Sequence, residues 1–517
     1  MTTDSRAAAY GEGMAQGSEA ALSRRTALAG IAAGGGTAVA GAILLSNQRH
    51  DVTGDLGRGS GTAAVTVSTG RVHTLTKLTS PTAPYAASRA LFSTADVVVV
   101  ADPGSPQFAA AVAQARAMGV PLLPVGAPLR AELDRLRVRT VVDFTAGAAQ
   151  IGDRPVLSPG GDQGELLAGF PAKRTGSTVV LTTGDELPEP LATLVAAAGA
   201  TLLSAPGGDP RRSVKTIAGL REAPTATVLG VGTRFTDVKR LARRVRTVRT
   251  VPLLTDGGIL PLHRRRMIAL YGSPLTPSLG MLGEQDAQAS VARVTALTQE
   301  YRTVLESDAL FPAFELIATV AAAAPGADGT YSAPTDPADL LPWIEVAEHS
   351  GIYCVLDLQP GNADLLDQAK KYADLLTHPW VGLAIDPEWK LLPGERPLTR
   401  IGHVEIEEVN RVAAWLADLV RQHNLPPKIL TLHQFQLQMI RDRDQLDLDH
   451  DELQVVVHVD GSGSQPQKQA TWNVIREDLS PRIYLGWKNF EDEDSPMLTV
   501  AETVATVQPT PSFISYQ

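Results

Sequence analysis

The residues best suited to chemistry stand in one short stretch, where Val381-Gly-Leu-Ala-Ile385 runs into Asp386, Pro387, Glu388 and Trp389. Five apolar or small residues in a row suit a strand buried on both faces. Pro387 has no N–H to give a sheet ladder, so the strand is expected to stop there. Asp386 and Glu388 lie two apart and point the same way if the chain stays extended. Paired carboxyl groups can cleave a glycosidic bond, one protonating the leaving oxygen and the other serving as base or nucleophile. The Trp389 ring beside them offers a face on which a sugar can stack. The structural alternative for Asp386 is a helix N-cap or an ion-pair partner.

Positioning such a pair takes a scaffold, and the second half of the chain, 252–517, carries the pattern of one. Eight strand-like runs follow in order, at 266–272, 313–320, 351–357, 381–386, 428–433, 453–459, 482–487 and 512–516. Helical patterns fall between most of them, clearest at 286–305, 363–376, 406–423 and 436–443, and poorest at 468–478. Eightfold alternation of strand and helix is the signature of a (β/α)8 barrel, whose chemistry sits at the carboxyl ends of the strands.

Those ends carry Tyr271; Glu315, deeper in the second strand; Asp357 and Gln359; Asp386, Glu388 and Trp389; His433 and Gln434; His458 and Asp460; Trp487, Lys488 and Asn489; and Tyr516. Aromatic faces stack on sugars, and carboxylates and carboxamides bind hydroxyls, so this ring favours a carbohydrate site. A phosphate site would show a glycine-rich loop. Asp386 and Glu388 are the expected catalytic pair, the remaining residues are expected substrate contacts, and Asp357, Glu315 and Asp460 are reserve carboxylates. No cofactor is implied. No metal is expected either, because there is no H-x-H near the first strand and no H-E-x-x-H. The acidic run from Asp442 to Asp451 lacks the glycine of a calcium loop and reads as a solvated turn. The Asp-x-Glu at the end of the fourth strand resembles that of several glycoside hydrolase families, and this resemblance implies Glu388 as the acid.

The first half, 62–251, repeats itself. Strand 95–101, helix 108–118 and a return through Gly119 to Leu123 match strand 177–181, helix 191–198 and a return through Gly199 to Leu203. Further strands at 139–143 and 226–230 extend each unit. The expected architecture is a pair of α/β units with parallel strands. Tyr85-Ala-Ala-Ser-Arg-Ala-Leu91, the strand and helix after it, Gly119-Val-Pro-Leu-Leu123 and the Gly230-Val-Gly232 turn resemble the cell-wall-binding repeat 2 family of secreted bacterial proteins. The chain departs from that family in having Gln107-Phe108-Ala109 where Asp-Ala-Leu is usual, and two units rather than three. The resemblance implies association with the cell wall. Gly230-Val-Gly232 lacks the third glycine of a dinucleotide loop and reads as a tight strand-to-helix turn. The helix after it carries Lys239, Arg240, Arg243, Arg244, Arg246 and Arg249, a basic face suited to an anionic wall polymer or lipid head groups, or else a solvated surface.

Residues 1–50 hold Ser23-Arg24-Arg25-Thr26-Ala27-Leu28 and an uncharged run to Leu45, which resembles a twin-arginine export signal. Ala27 stands where a bulky residue is often found. Nothing like a small-x-small cleavage site follows Leu45, so 27–45 can also act as a membrane tether. The net charge of −10 argues against a general nucleic-acid binder. One cysteine, Cys354, excludes an internal disulfide framework and a thiolate zinc cluster. The expectation is an exported envelope protein, similar to actinobacterial surface proteins, that joins a wall-associating module to a barrel that binds and cleaves a glycan. The alternative is a non-catalytic glycan-binding surface protein with a degenerate barrel. A third reading, a cytoplasmic metabolic enzyme, requires the export signal to be illusory.

Overall fold

The computed structural model describes residues 63–147, 149, 151–157, 172–184, 186–305 and 309–517. The expected export signal and the 27–45 stretch lie outside the described residues. Among the described residues, no helix is long and apolar enough to cross a membrane.

The second half forms a closed barrel of eight parallel strands. They are Arg265–Gly272 (β1), Ala309–Ala321 (β2), Tyr353–Leu358 (β3), Val381–Ile385 (β4), Lys428–His433 (β5), Leu453–Val459 (β6), Tyr484–Asn489 (β7) and Phe513–Tyr516 (β8). Each pairs with its neighbours in sequence, and β1 pairs with both β2 and β8, which closes the ring. A short strand, Ser332–Pro334, adds antiparallel to the far end of β2.

Side chains alternate across the barrel wall, as the two-residue period of a strand requires. One set faces inward and makes a small apolar core that includes Met267, Ala269, Phe311, Ala313, Tyr353, Val355, Ala384, Ile429, Val456 and Phe513. The alternate set, including Leu270, Phe314, Leu356, Leu383, Leu432, Val457 and Ile514, packs outward against the helices. Cys354 belongs to that outer layer and is a buried, free thiol. Both faces are dry, which is why these strands read as continuous apolar runs.

The surrounding helices include Ala287–Val304, Pro337–His349, Leu365–Lys371, Ile406–Gln422, Gln465–Arg476 and Val500–Thr506. Two expectations need correcting. The stretch 436–443 is not a helix: turns at Leu437–Met439 and Arg443–Gln445 flank a short strand, Ile440–Arg441, which pairs with Val404–Glu405. Asp442 takes a left-handed conformation there, at φ 53°, which a continuous helix does not allow. The poorest expected helix proves regular. Gln465–Arg476 opens with a capping box between Ser464 and Gln467 and buries Lys468, Trp472 and Ile475 at helical spacing.

The first half contains two four-stranded parallel sheets that share the order of their first three strands but differ in the fourth, which comes last in sequence in one and first in the other. In one, Val97–Ala101 lies between Leu122–Pro124 and Thr140–Asp143, and Val156–Leu157 follows on the outside. In the other, Thr178–Thr182 lies between Thr201–Ser204 and Thr227–Val231, and Val72–Leu75 follows. Helix Phe108–Met118 ends on Gly119 at φ 64°, a left-handed closure that glycine adopts without strain. Gly230 packs under Phe235: a Cβ there would lie 2.6 Å from the ring, so its role is close packing.

This half and the barrel belong to one compact unit. Asp451, expected in a solvated turn, is instead the partly buried centre of their junction. Arg240 reaches it at 2.7 Å and Arg244 at 2.7 Å, both from the basic helix Val238–Thr250. Arg211 lies 3.4 Å away and is itself paired with Asp209 at 2.8 Å. Arg249 is also committed, donating to the carbonyls of Ala223 and Ala226. Lys239, Arg243 and Arg246 remain exposed.

Candidate active site at the carboxyl end of the barrel

Strand parity decides which expected residues meet. Lys488 follows Gly486 on the inward face of β7, so Trp487 and Asn489 must point outward. Trp487 is fully buried against Trp472, with ring centroids 5.7 Å apart, and its Nε1 donates to Asn489 Oδ1. Asn489 in turn reaches Thr503 on a helix. On β8, Ser515 faces in and Tyr516 faces out, where its hydroxyl shares a hydrogen bond with that of Tyr301. Trp487, Asn489 and Tyr516 therefore lie in the strand–helix layer, away from the other strand-end groups. Gln434 is buried in its own loop: its Nε2 donates to the carbonyls of Gln436 and Leu437, and its Oε1 accepts from Arg443.

The inward groups form one network. His433 is its hub, with Nδ1 2.7 Å from Asp460 Oδ2 and Nε2 3.1 Å from Glu315 Oε1. Asp357 Oδ1 lies 3.7 Å from the same Nε2. The Tyr271 hydroxyl donates to Asp357 Oδ2 at 2.9 Å, and Gln359 Nε2 donates to that hydroxyl at 3.3 Å. Lys488 Nζ sits 3.3 Å from the centre of the Tyr271 ring, a close cation–π contact. His458 Nδ1 lies 3.8 Å from Glu315 Oε2, while its Nε2 meets Ser515 Oγ at 3.0 Å. A Cβ on Gly486 would come 2.7 Å from His458 Cδ2, so glycine there makes room for the imidazole. Ser515 is a participant that reading strand ends missed. Its alternation with Phe513, an evident core residue, was the available signal.

At the end of β4 the two readings of Asp386 meet. Its Oδ1 accepts from Glu388 N at 3.2 Å and caps the turn Pro387–Trp389, so the cap is real. The same turn carries Glu388, within reach of the charges of Asp460, Lys488 and His433, and Trp389, and both are partly exposed. Gly402 N donates to Glu388 O at 2.7 Å. A Cβ on Gly402 would lie 2.4 Å from Pro387 O, so only glycine lets this clasp close.

Charge is crowded here, and the groups divide accordingly. Burial raises the Asp386 carboxyl well above its usual range, against the opposing pull of His433, and the nearby charges of Asp357 and Asp460 add to the rise. Burial raises Asp357 in the same way. Glu388 is pushed up to about 7, by burial first and then by the charge of Asp460. Burial works against ionised Asp460 and Glu315 too, but His433 outweighs it and holds both below their ordinary values. His433 resists burial because Asp460, Glu315 and Asp357 keep it protonated, well above the usual imidazole value. His458 has less support, and burial takes it down to about 4. At neutral pH the network thus holds ionised Asp460 and Glu315 against a protonated His433, with a neutral His458. A carboxyl ready to give a proton stands near one that stays ionised.

A cleft of about 790 Å³ opens at the opposite end of the barrel, against the first half, lined by residues including Arg211, Arg234, His263, Asp449 and Tyr484. It is remote from this network. No protein family, no curated protein and no solved structure matches the chain.

Proposed function

We propose that the barrel is a hydrolase of glycosidic bonds, acting on a polysaccharide of the cell envelope. The observation that supports this reading is the placing of two unlike carboxyl groups at the barrel's carboxyl end: Asp460 is buried against His433 at 2.7 Å, which favours its ionised form, and Glu388 stands partly exposed on the capped turn, where burial and the charge of Asp460 raise it to about 7. Glycoside hydrolysis needs that division of labour. Glu388, partly exposed, is the acid that protonates the leaving oxygen. Asp460 is the charged partner, as base or nucleophile. Asp386, whose carboxyl is buried and raised, then serves to cap the turn that carries Glu388 rather than as the second catalytic group. Trp389, on the same turn and partly exposed, offers a stacking face for a sugar ring. Lys488 and Tyr271 brace the floor.

The envelope as the place of action rests on the twin-arginine-like stretch at Arg24-Arg25 and on the resemblance of the first half to wall-binding repeats. Lys239, Arg243 and Arg246, exposed on one helix, are the proposed contact with an anionic wall polymer. Holding a catalytic barrel at its insoluble substrate raises the local concentration of cleavable bonds. A non-catalytic glycan-binding barrel is the second reading, favoured by the complete burial of Glu315, Asp357, His433 and His458. Release of reducing ends from isolated envelope polysaccharides by the full chain separates the two. The first reading expects release that falls by about a hundredfold or more in Glu388→Gln and in Asp460→Asn. Binding without release, equal in all three proteins, refutes it.

A further inference from the structure

The floor of the same network carries a feature that acid–base hydrolysis does not use. Besides Thr431 Oγ1 and Asp460 Oδ1, the buried polar atoms there without a hydrogen-bond partner include Glu315 Oε2, Asp357 Oδ1 and His458 Nδ1. Each of these three residues is fully buried. Leaving such groups unpaired is costly, and natural structures rarely do it without a reason.

Their placement supplies a reason. Ligand atoms of Glu315, His433 and His458 all lie within 4.8 Å of one another. Glu315 to His433 Nε2 is 3.1 Å, Asp357 Oδ1 to His433 Nε2 is 3.7 Å, and Glu315 Oε2 to His458 Nδ1 is 3.8 Å. Metal–ligand bonds of about 2.0–2.2 Å arranged tetrahedrally put ligand atoms about 3.3–3.6 Å apart. These three spacings bracket that range, and the ligand atoms of Glu315, His433 and His458 lie no more than 4.8 Å apart, so closing on one ion takes side-chain shifts.

We propose that Glu315, Asp357, His433 and His458 form a binding site for one divalent transition-metal ion of the zinc class. Two imidazoles and two carboxylates are a donor set suited to zinc and its first-row neighbours. The outer partners fit as well. A ligating histidine commonly donates its other N–H to a carboxylate or another acceptor, which fixes the ring. His433 has Asp460 at Nδ1, and His458 has Ser515 at Nε2. The charge also fits. Glu315, Asp357, Asp386, Glu388 and Asp460 converge on this end of the barrel, with His433 and Lys488 as the cations facing them. A divalent ion placed among them favours the ionised form of carboxyl groups that burial otherwise disfavours. Binding displaces the proton from His433 Nε2 while Nδ1–H keeps its bond to Asp460, and the proposal does not depend on whether a glycan is cut.

The test uses the full chain expressed with zinc in the medium and dialysed against a weak chelator, with metal content read by mass spectrometry. One equivalent of zinc is expected in the parent. Folded Glu315→Gln and His458→Gln, checked by circular dichroism, should retain almost none. Ser515→Ala should bind zinc about 10- to 100-fold more weakly in competition with a chromophoric chelator. Glu388→Gln should keep its zinc even where it has lost hydrolysis, which separates this proposal from the preceding one. Should the ligand variants not fold, cobalt in the parent decides: a visible band of four-coordinate geometry, weakened in Ser515→Ala, supports the site. A metal-free parent, or zinc retained unchanged in the folded ligand variants as an adventitious surface ion, overturns it.

Discussion

Removing Asp451 should cost more than removing any ordinary surface acid. Its side chain is 9% exposed and accepts three hydrogen bonds from Arg240 and two from Arg244, between 2.7 and 3.0 Å. Arg211 stands close by at 3.4 Å, with Asp209 as its own partner. In Asp451→Ala, Arg240 loses its carboxylate acceptor, Arg244 keeps a bond to Gly208 O at 3.3 Å and a 3.6 Å approach to Asp209, and the guanidinium groups repel one another. Breaking a buried ion pair from one side typically costs about 3–5 kcal/mol, because the stranded charge remains desolvated. For a unit of this size each kcal/mol is worth roughly 1 °C in Tm, so a fall of about 3–5 °C is expected. Urea unfolding followed by tryptophan fluorescence gives the free energy directly. The pH dependence has a definite sign. Burial opposes ionisation of Asp451, but Arg244, Arg240 and Arg211 outweigh it and hold its folded value well below the usual carboxylate range. The stabilisation is therefore complete above the unfolded value of about 3.9 and is lost as pH falls below it toward the folded value. Asp451→Ala should show a shallower loss of stability below pH 4 than the parent. An alanine variant within about 0.5 kcal/mol of the parent, or with the parent's acid slope, would refute the junction as described.

Other outcomes follow from the same structure. Trp487→Ala should lose about 3–5 kcal/mol of stability through the cavity left beside Trp472, while the folded fraction keeps the parent's affinity for glycan; a selective loss of affinity would return Trp487 to the site. Lys428, fully buried with its Nζ on the carbonyls of His378 and Val381, is lowered by burial to about 7. Its charge therefore costs stability fully below pH 7, and the cost is relieved as pH rises toward 10.5, so the parent should gain urea resistance between pH 7 and 9 that Lys428→Met does not. Replacing Lys239, Arg243 and Arg246 together by alanine should weaken pull-down on anionic wall polymer and flatten its salt dependence without moving Tm, since none of the three braces the barrel.

Much of the barrel was legible in the sequence because its strands are buried on both faces. Apolar runs such as 381–385 end in polar residues where the barrel opens, and all eight expected strands form the ring. What a run of apolar residues conceals is parity. With both faces dry, Trp487 and Lys488 look equally placed at the end of β7, and only the inward Gly486, or the Trp487–Trp472 packing, distinguishes them. Helix Gln465–Arg476 was faint because one of its three buried positions is Lys468, whose ammonium finds Asp494. Its Ser464–Gln467 capping box was the clearer signal. Contacts across long separations carried no local mark. Glu315 and His433 are 118 residues apart, and Asp451 meets Arg240 across 211. Of the carboxyl groups, Asp386 and Glu388 were singled out by spacing, but their environments separate them. The first is buried beneath the turn it caps, and the second opens to the mouth.

The most direct test of the proposed chemistry is the pH dependence of kcat/KM on a cleavable envelope glycan, for the parent and for Glu388→Gln. The acid must hold its proton, so activity should fall as pH rises through about 7, the value to which burial and Asp460 raise Glu388. The ionised partner, Asp460, is held below its ordinary range, so the acid-side limb should lie below about pH 4. Residual activity in Glu388→Gln should be much lower and flat across pH 7. A parent profile that is level through pH 7, or an alkaline limb that survives in Glu388→Gln, would contradict Glu388 as the acid.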